Sequence, residues 1–227
     1  MLTQTYRIAF YTLIKKEARR TFRIWTQTLL PPAMTTALYF IIFGHVIGSR
    51  LGTMSGYPYP QFIAPGLIMM SVITSSFSSA VGSFFSAKFQ RSIEELLVSP
   101  MPDWLLVAGF ATGGMLRGLL VGMIVTIVSL CFTHLPLYSL GSIITVIVLS
   151  CAIFSLAGII NAVFAKTFDD IAIIPSFILV PLTYFGGVFY AIPLLPKIWQ
   201  YLSLANPIVY LVSAFRYGFL GLNSTHV

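Results

Sequence analysis

Charge is what this sequence has least of. Only 8% of its 227 residues are Asp, Glu, Lys or Arg, against 57% apolar residues and a mean hydropathy of +0.91. A soluble domain carries roughly 25% charged residues because its surface faces water. This chain has too few to clothe such a surface, so its surface must face lipid, and a soluble fold is excluded. Cysteine is nearly absent too: Cys131 and Cys151 both lie inside apolar runs, which suits neither a disulfide framework nor a metal site. The histidines, His45, His134 and His226, are scattered near segment ends. The sequence holds no HExxH, no GxSxG and no GxxxxGK[ST]. Lacking the last, the chain cradles no nucleotide phosphates, and any ATPase that powers it is another chain. Glu94-Glu95 does not read as an intramembrane protease pair, because the position four residues on is Ser99 rather than arginine, within a charged loop. The N-terminus shows no cleavable signal with a small-residue site.

The apolar runs that remain set an all-α membrane protein. Residues 5–24 read as a helix with Tyr6, Phe10, Leu13 and Ile14 on one side, followed by Lys15, Lys16, Arg19, Arg20 and Arg23. Such a segment lies in the interface, apolar face down in lipid and cations on anionic head groups; a plain basic stop before a span is the duller alternative. No charge occurs between Arg23 and Arg50, which allows a first span at 26–48, roughly 34 Å long at ~1.5 Å per residue. Pro31 and Pro32 are expected in its opening turns, where missing amides cost least. A Gly/Pro/Tyr-rich loop, residues 48–60, leads to a second span at 62–86, containing the small-residue run SVITSSFSSAVGSFFSA. Those residues serve close helix packing, or their hydroxyls line a polar path; both readings stand. Further spans are expected at 105–131, 141–164 and 171–191, the last carrying Pro175 and Pro181. Residues 192–220 mix prolines, aromatics and apolar residues without a clean crossing, and read as short re-entrant pieces.

The net charge of +7 does not point to nucleic acid, because the cations form no stripe with interleaved aromatics. They flank the apolar segments. With the N-terminus inside, nine cations fall on cytoplasmic segments (Arg7, Lys15, Lys16, Arg19, Arg20, Arg23, Lys88, Arg91, Lys166) and three outside (Arg50, Lys197, Arg216), which favours that orientation. The six acids, Glu17, Glu94, Glu95, Asp103, Asp169 and Asp170, also fall inside, and a face bearing both signs suits a protein partner. Arg117 stands within a span, flanked by Gly113, Gly114 and Gly118. It must pair or face water, through a structural contact or through substrate. In the loop 88–102, SIEELLVSP reads as a short amphipathic helix, with Ile93, Leu96 and Leu97 opposite Glu94 and Glu95 and Pro100 and Pro102 ending it. Five spans leave the C-terminus outside at GLNSTHV, so a sixth helix is expected to be missing from this chain.

IEELLVSP, AKTFDD and NPIVYLVSAFRYGFLG, with LPPAMTTALYFIIFG, QFIAPGLIMMSVITSS and PLTYFGGVFY, resemble the ABC-2 type transport permeases of bacterial inner membranes. The resemblance covers essentially the whole chain. It implies a six-helix, type V exporter-like domain, here without its sixth helix, working as a dimer with two copies of an ATP-binding subunit that holds ATP and magnesium. It assigns Ile93, Glu94, Glu95, Leu96, Leu97, Ser99 and Pro100 to the coupling helix, and residues 5–24 to the connecting helix. Asn206, Pro207 and Arg216 fall in its C-terminal signature. The function it implies is ATP-driven export by alternating access. Ser71, Thr74, Ser75 and Ser78, with Ser79, Tyr184 and Phe185, would line a path suited to an amphipathic or lipid-like cargo. Two other classes compete: a membrane anchor for a soluble ATPase, and a stand-alone carrier. A carrier wants acids at mid-membrane, and every acid here is assigned to a cytoplasmic segment.

Overall fold

The computed structural model describes residues 2–48, 52–99 and 101–222, with side chains described from residue 6 onward except at 45 and 47. Arg50, Pro100 and His226 therefore lie outside the described residues, as does the side chain of His45. Ten α-helices are described there. They are α1 (Leu2–Arg23), α2 (Trp25–Tyr39), α3 (Tyr59–Phe89), α4 (Ser92–Val98), α5 (Asp103–Phe132), α6 (Leu140–Phe164), α7 (Phe168–Ile174), α8 (Val180–Tyr184), α9 (Lys197–Leu204) and α10 (Pro207–Leu220). Two π-helical stretches continue regular helices: Phe40–Ile47 follows α2, and Pro175–Leu179 joins α7 to α8.

α3, α5 and α6 are each long and apolar enough to cross a bilayer. α3 is the axis of the molecule: 72% of its most apolar stretch is buried, against 28% for α5 and 33% for α6. Small residues make that centrality possible. Along α5, Gly114, Gly118 and Gly122 recur every four residues and so share one face. A Cβ at Gly114 would stand 2.9 Å from Cβ of Ala80, one at Gly118 would overlap the Ser76 hydroxyl, and one at Gly122 would stand 2.8 Å from Val72. This seam lets α5 close on α3 and α6 together, the small-residue logic of packing in lipid. A second seam, Gly109 and Gly113, faces α1 and receives Leu13 and Glu17.

That second seam corrects the reading of residues 5–24. The apolar side of α1 does not lie down in lipid: Leu13 and Glu17 are buried against α5, with Tyr6, Phe10 and Ile14 half-buried on the same side. Glu17, expected on a cytoplasmic surface, is 3% exposed and accepts a 2.6 Å hydrogen bond from Ser83 Oγ on α3. Pro31 and Pro32 also move: they lie inside α2 rather than in its opening turn, and so leave the carbonyls of Gln27 and Thr28 without helical amides. The span expected at 171–191 ends early. Its helix stops at Tyr184, and the chain turns through Gly187 at φ +70°, a conformation open to glycine.

Residues 48–60, read as a loop, contain a hairpin of β1 (Thr53–Met54) and β2 (Tyr57–Pro58). Ser55 and Gly56 both take positive φ in its turn, as a tight hairpin turn requires. This end of the bundle is tied by tyrosines: Tyr57 donates to Leu220 O and Tyr59 to Phe189 O, at 2.8 and 2.9 Å. At the opposite end Lys88 Nζ donates to Val163 O and Ala165 O, both at 2.7 Å, and to Ala162 O at 3.4 Å. A cation on the orphan carbonyls of a helix C-terminus suits its dipole.

Candidate functional site

Two irregular segments converge beside α3. One is α2, with its two internal prolines and the π-helical stretch after it; the other runs through Pro175, the second π stretch and Pro181. Interrupted helices in a membrane chain are tolerated where they line a cavity, and one lies here. A cavity of about 250 Å³ is lined by Pro31, Pro32, Thr35 and Tyr39 of α2 and by Leu67, Met70, Ser71, Thr74 and Ser75 of α3. None of these side chains is charged. Ser71, Thr74 and Ser75 fall on one helical face, and Thr74 Oγ1 commits its proton to Met70 O at 2.7 Å. Thr74 thus offers an incoming group lone pairs rather than a free proton.

Tyr39, in that lining, shares a 2.6 Å hydrogen bond between hydroxyls with Tyr184. Phe189 stacks on Tyr184 at 5.7 Å between centroids and meets Tyr39 at 5.5 Å and Phe43 at 4.9 Å. Of the residues read from sequence as a path, Ser71, Thr74 and Ser75 line the cavity, and Tyr184 stands outside the lining, bonded to Tyr39. Ser78 continues the same face of α3 one turn further but stands exposed, outside the lining, and Ser79 is buried in the bundle. Phe185 stacks on Trp199 at 5.7 Å instead. Sequence reading missed Tyr39 and Phe189. Tyr39 sits inside an apolar run with nothing local to mark it, and only the fold brings it to Tyr184.

At the Lys88 end, α4 stands off the bundle. Arg91 at φ 58° turns the chain, Ile93 is buried, Leu96 is half-buried, and Glu94 and Glu95 are exposed. Leu97, expected on the apolar side with Ile93, is 57% exposed, and Val98 is 86% exposed. Four residues separate Ile93 from Leu97, but α4 is only two turns long and its apolar docking ends at Leu96. Ser99 Oγ turns back to Leu96 O at 2.6 Å. Nearby, Asp170 is engaged rather than free. Its carboxylate accepts from the Lys166 and Thr167 amides at 2.8 and 2.9 Å, which holds its pKa below the usual value, and Thr167 accepts in turn from Asp170 N.

The remaining sequence-marked residues are structural in their contacts. Asn206 caps α10 by accepting from Ile208 N at 3.0 Å and donates to Leu182 O at 2.6 Å; Pro207 opens the helix. Arg216, counted from sequence among the cations on the outer side, is 2% exposed. It donates to Phe62 O and Gly187 O at 3.2 and 2.8 Å and lies 3.9 Å over the Phe62 ring. Residues 192–220 read from sequence as short re-entrant pieces, and one of them, α10, folds back into the bundle and carries Arg216 inside it. Arg117 is half-buried, forms no ion pair among the described residues, and its Nε is buried without a hydrogen-bond partner.

The sequence profile of the ABC-2 type transporters matches residues 8–220. The inner membrane transport permease YadH of Escherichia coli K12 is 56% identical over 218 residues, which cover 96% of this chain and 85% of that one. Nodulation protein J of Neorhizobium galegae is 23% identical over 208 residues, covering 89% and 79% respectively. With its helical bundle, an uncharged cavity beside its central helix and this match over nearly its whole length, the chain belongs to the ABC-2 type transporter family and is a transport permease.

Proposed function

We propose that this permease exports an amphipathic, uncharged or weakly charged substrate, driven by a separate ATP-binding subunit. The observation that carries the reading is the cavity between α2 and α3: apolar walls, a line of hydroxyls and no charge, with the Tyr39–Tyr184–Phe189 cluster beside it, which we read as its lid. A lipid-like cargo with a polar, neutral head matches that lining better than an ion does. Alternating access then means breaking the Tyr39–Tyr184 contact at one end and widening the cavity at the other. The prolines of α2, the π-helical stretch after it and the second π stretch ahead of Tyr184 offer the yielding backbone for that motion. Two permease copies facing each other would join their cavities into one path.

The α4 end carries Lys88, Arg91 and Lys166 together with the basic run of α1, whereas the opposite end bears Lys197 and the buried Arg216 among its described cations. The positive-inside rule then places α4 and the N-terminus in the cytoplasm of an inner membrane, and the lid outside. There α4 presents Glu94, Glu95, Leu97 and Val98 to the ATPase. Co-purification with the ATPase followed by hydrolysis assays in liposomes tests this. Substrate should raise hydrolysis in the wild-type complex, and Glu95→Lys should uncouple hydrolysis from efflux. Hydrolysis by the partner that is unchanged when this chain is added refutes coupling.

A further inference from the structure

Folding rearranges the basic run near the N-terminus. Positions 12, 15, 16, 19, 20 and 23 follow helical spacing, so in α1 they share one face. There Thr12, Lys15, Lys16, Arg19, Arg20 and Arg23 line a shallow open cleft of about 430 Å³. The linear order already marks these cations as the basic side of an amphipathic run; folding shows that this side stays open while the opposite one is covered by α5. The one ion pair among the described residues is Arg20 to Glu17 at 3.9 Å, and Glu17 is already committed to Ser83 on the buried face. Lys15 rests 5.8 Å over the Tyr11 ring, while Lys16, Arg19 and Arg23 stand exposed. Beside this face, on the side away from α5, Tyr11 and Phe22 are 65% and 57% exposed.

We propose that this face of α1 is a binding site for the phosphate of an anionic phospholipid, with the acyl chains lying along Tyr11 and Phe22. Three observations converge. The apolar side of α1 is occupied by α5, so hydrophobic insertion of that side cannot anchor the helix. Cations in excess of their protein countercharge sit in one open cleft and need an anion from elsewhere. An exposed apolar strip runs parallel to them, which a free anion has no use for and a lipid tail does. An acidic protein surface supplies the charge but not the tail, so lipid is the occupant the geometry favours.

The test uses the full chain in neutral detergent, titrated with phosphatidylglycerol or with phosphatidylcholine of the same acyl composition and followed by native mass spectrometry. The wild type should bind phosphatidylglycerol at least about tenfold more tightly, with the preference falling towards parity in about 0.5 M salt. Neutralising Lys15, Lys16, Arg19 and Arg23 to Gln, with Arg20 kept, should abolish the preference. Should that variant fail to fold, the salt titration of the wild type decides: a preference that salt leaves intact overturns the site. The charge-keeping pair Arg19→Lys and Arg23→Lys should retain most of the preference. Persistence of the preference in the neutralised chain overturns the site. So does its loss to ~10 mM inorganic phosphate, which would make a free anion the ligand. A neutralised chain that keeps its lipid preference but no longer co-purifies with the ATPase assigns the face to protein docking and refutes the lipid reading.

Discussion

Replacing Arg216 with methionine keeps most of its volume and removes its charge and its donors. Two charge-assisted hydrogen bonds are lost, to Phe62 O and Gly187 O, along with a guanidinium 3.9 Å over the Phe62 ring. Each such bond contributes ~1.5–3 kcal/mol, and a desolvated cation–ring contact ~2 kcal/mol. Against them stands the cost of holding an arginine away from water, several kcal/mol. Both acceptor carbonyls stay buried after the substitution, so the net loss should be about 3 kcal/mol. On the scaling for chains of 150–250 residues, that lowers Tm by roughly 6–12 °C. Arg216→Lys keeps a charge but one nitrogen cannot reproduce the planar fork, so it should fall about halfway between. The assay is thermal unfolding in detergent, read by loss of the monodisperse gel-filtration peak. A methionine variant within about 2 °C of wild type refutes the assignment of Arg216 as the tie between α3, α10 and the turn at Gly187.

Gly118→Val should cost about 2–4 kcal/mol, because its branches meet Ser76 and Cys151 on two neighbouring helices at once; the same detergent assay reads it, and Gly141→Val, with open space around its Cβ, is the control. Tyr184→Phe removes one hydroxyl of the lid pair. It should raise labelling of a Ser71→Cys reporter by a polar thiol reagent several-fold while changing stability by only about 1 kcal/mol, and unchanged labelling argues against a lid. Asp170 is held ionised by backbone donors, so its folded pKa lies below the unfolded value of about 3.9. Its contribution is therefore present above that pH and fades as pH falls through the folded pKa. The Tm gap between wild type and Asp170→Asn should be constant from about pH 6 to 8 and should shrink at about pH 3.

Lipid residence, helical content and the positions of α3, α5 and α6 were legible because each rests on a local quantity, the scarcity of charge over twenty or more residues. The short pieces were not. Arg216 and Glu17 look like surface charges in a linear reading, and both are buried by glycines or carbonyls supplied from distant helices. Ser71, Thr74 and Ser75 were found because hydroxyls at helical spacing stand out in an apolar run, yet Ser76, from the same run, fills the space that Gly118 leaves. One small-residue stretch thus supplies close helix contacts on one side of α3 and the hydroxyl lining of a cavity on another. Tyr39 was invisible, since its role depends on a partner 145 positions away.

Lys88 also acts as a mechanical element. It sits in the final turn of α3, just ahead of Arg91 and α4, and its ammonium grips the closing carbonyls of α6. A push delivered where α4 meets α3 is therefore shared with α6 at its point of entry, before any slack in the intervening loop is taken up. Two long helices are thereby tied at one end, and the proline-softened stretch of α2, which lines the cavity, is left as the part with compliance.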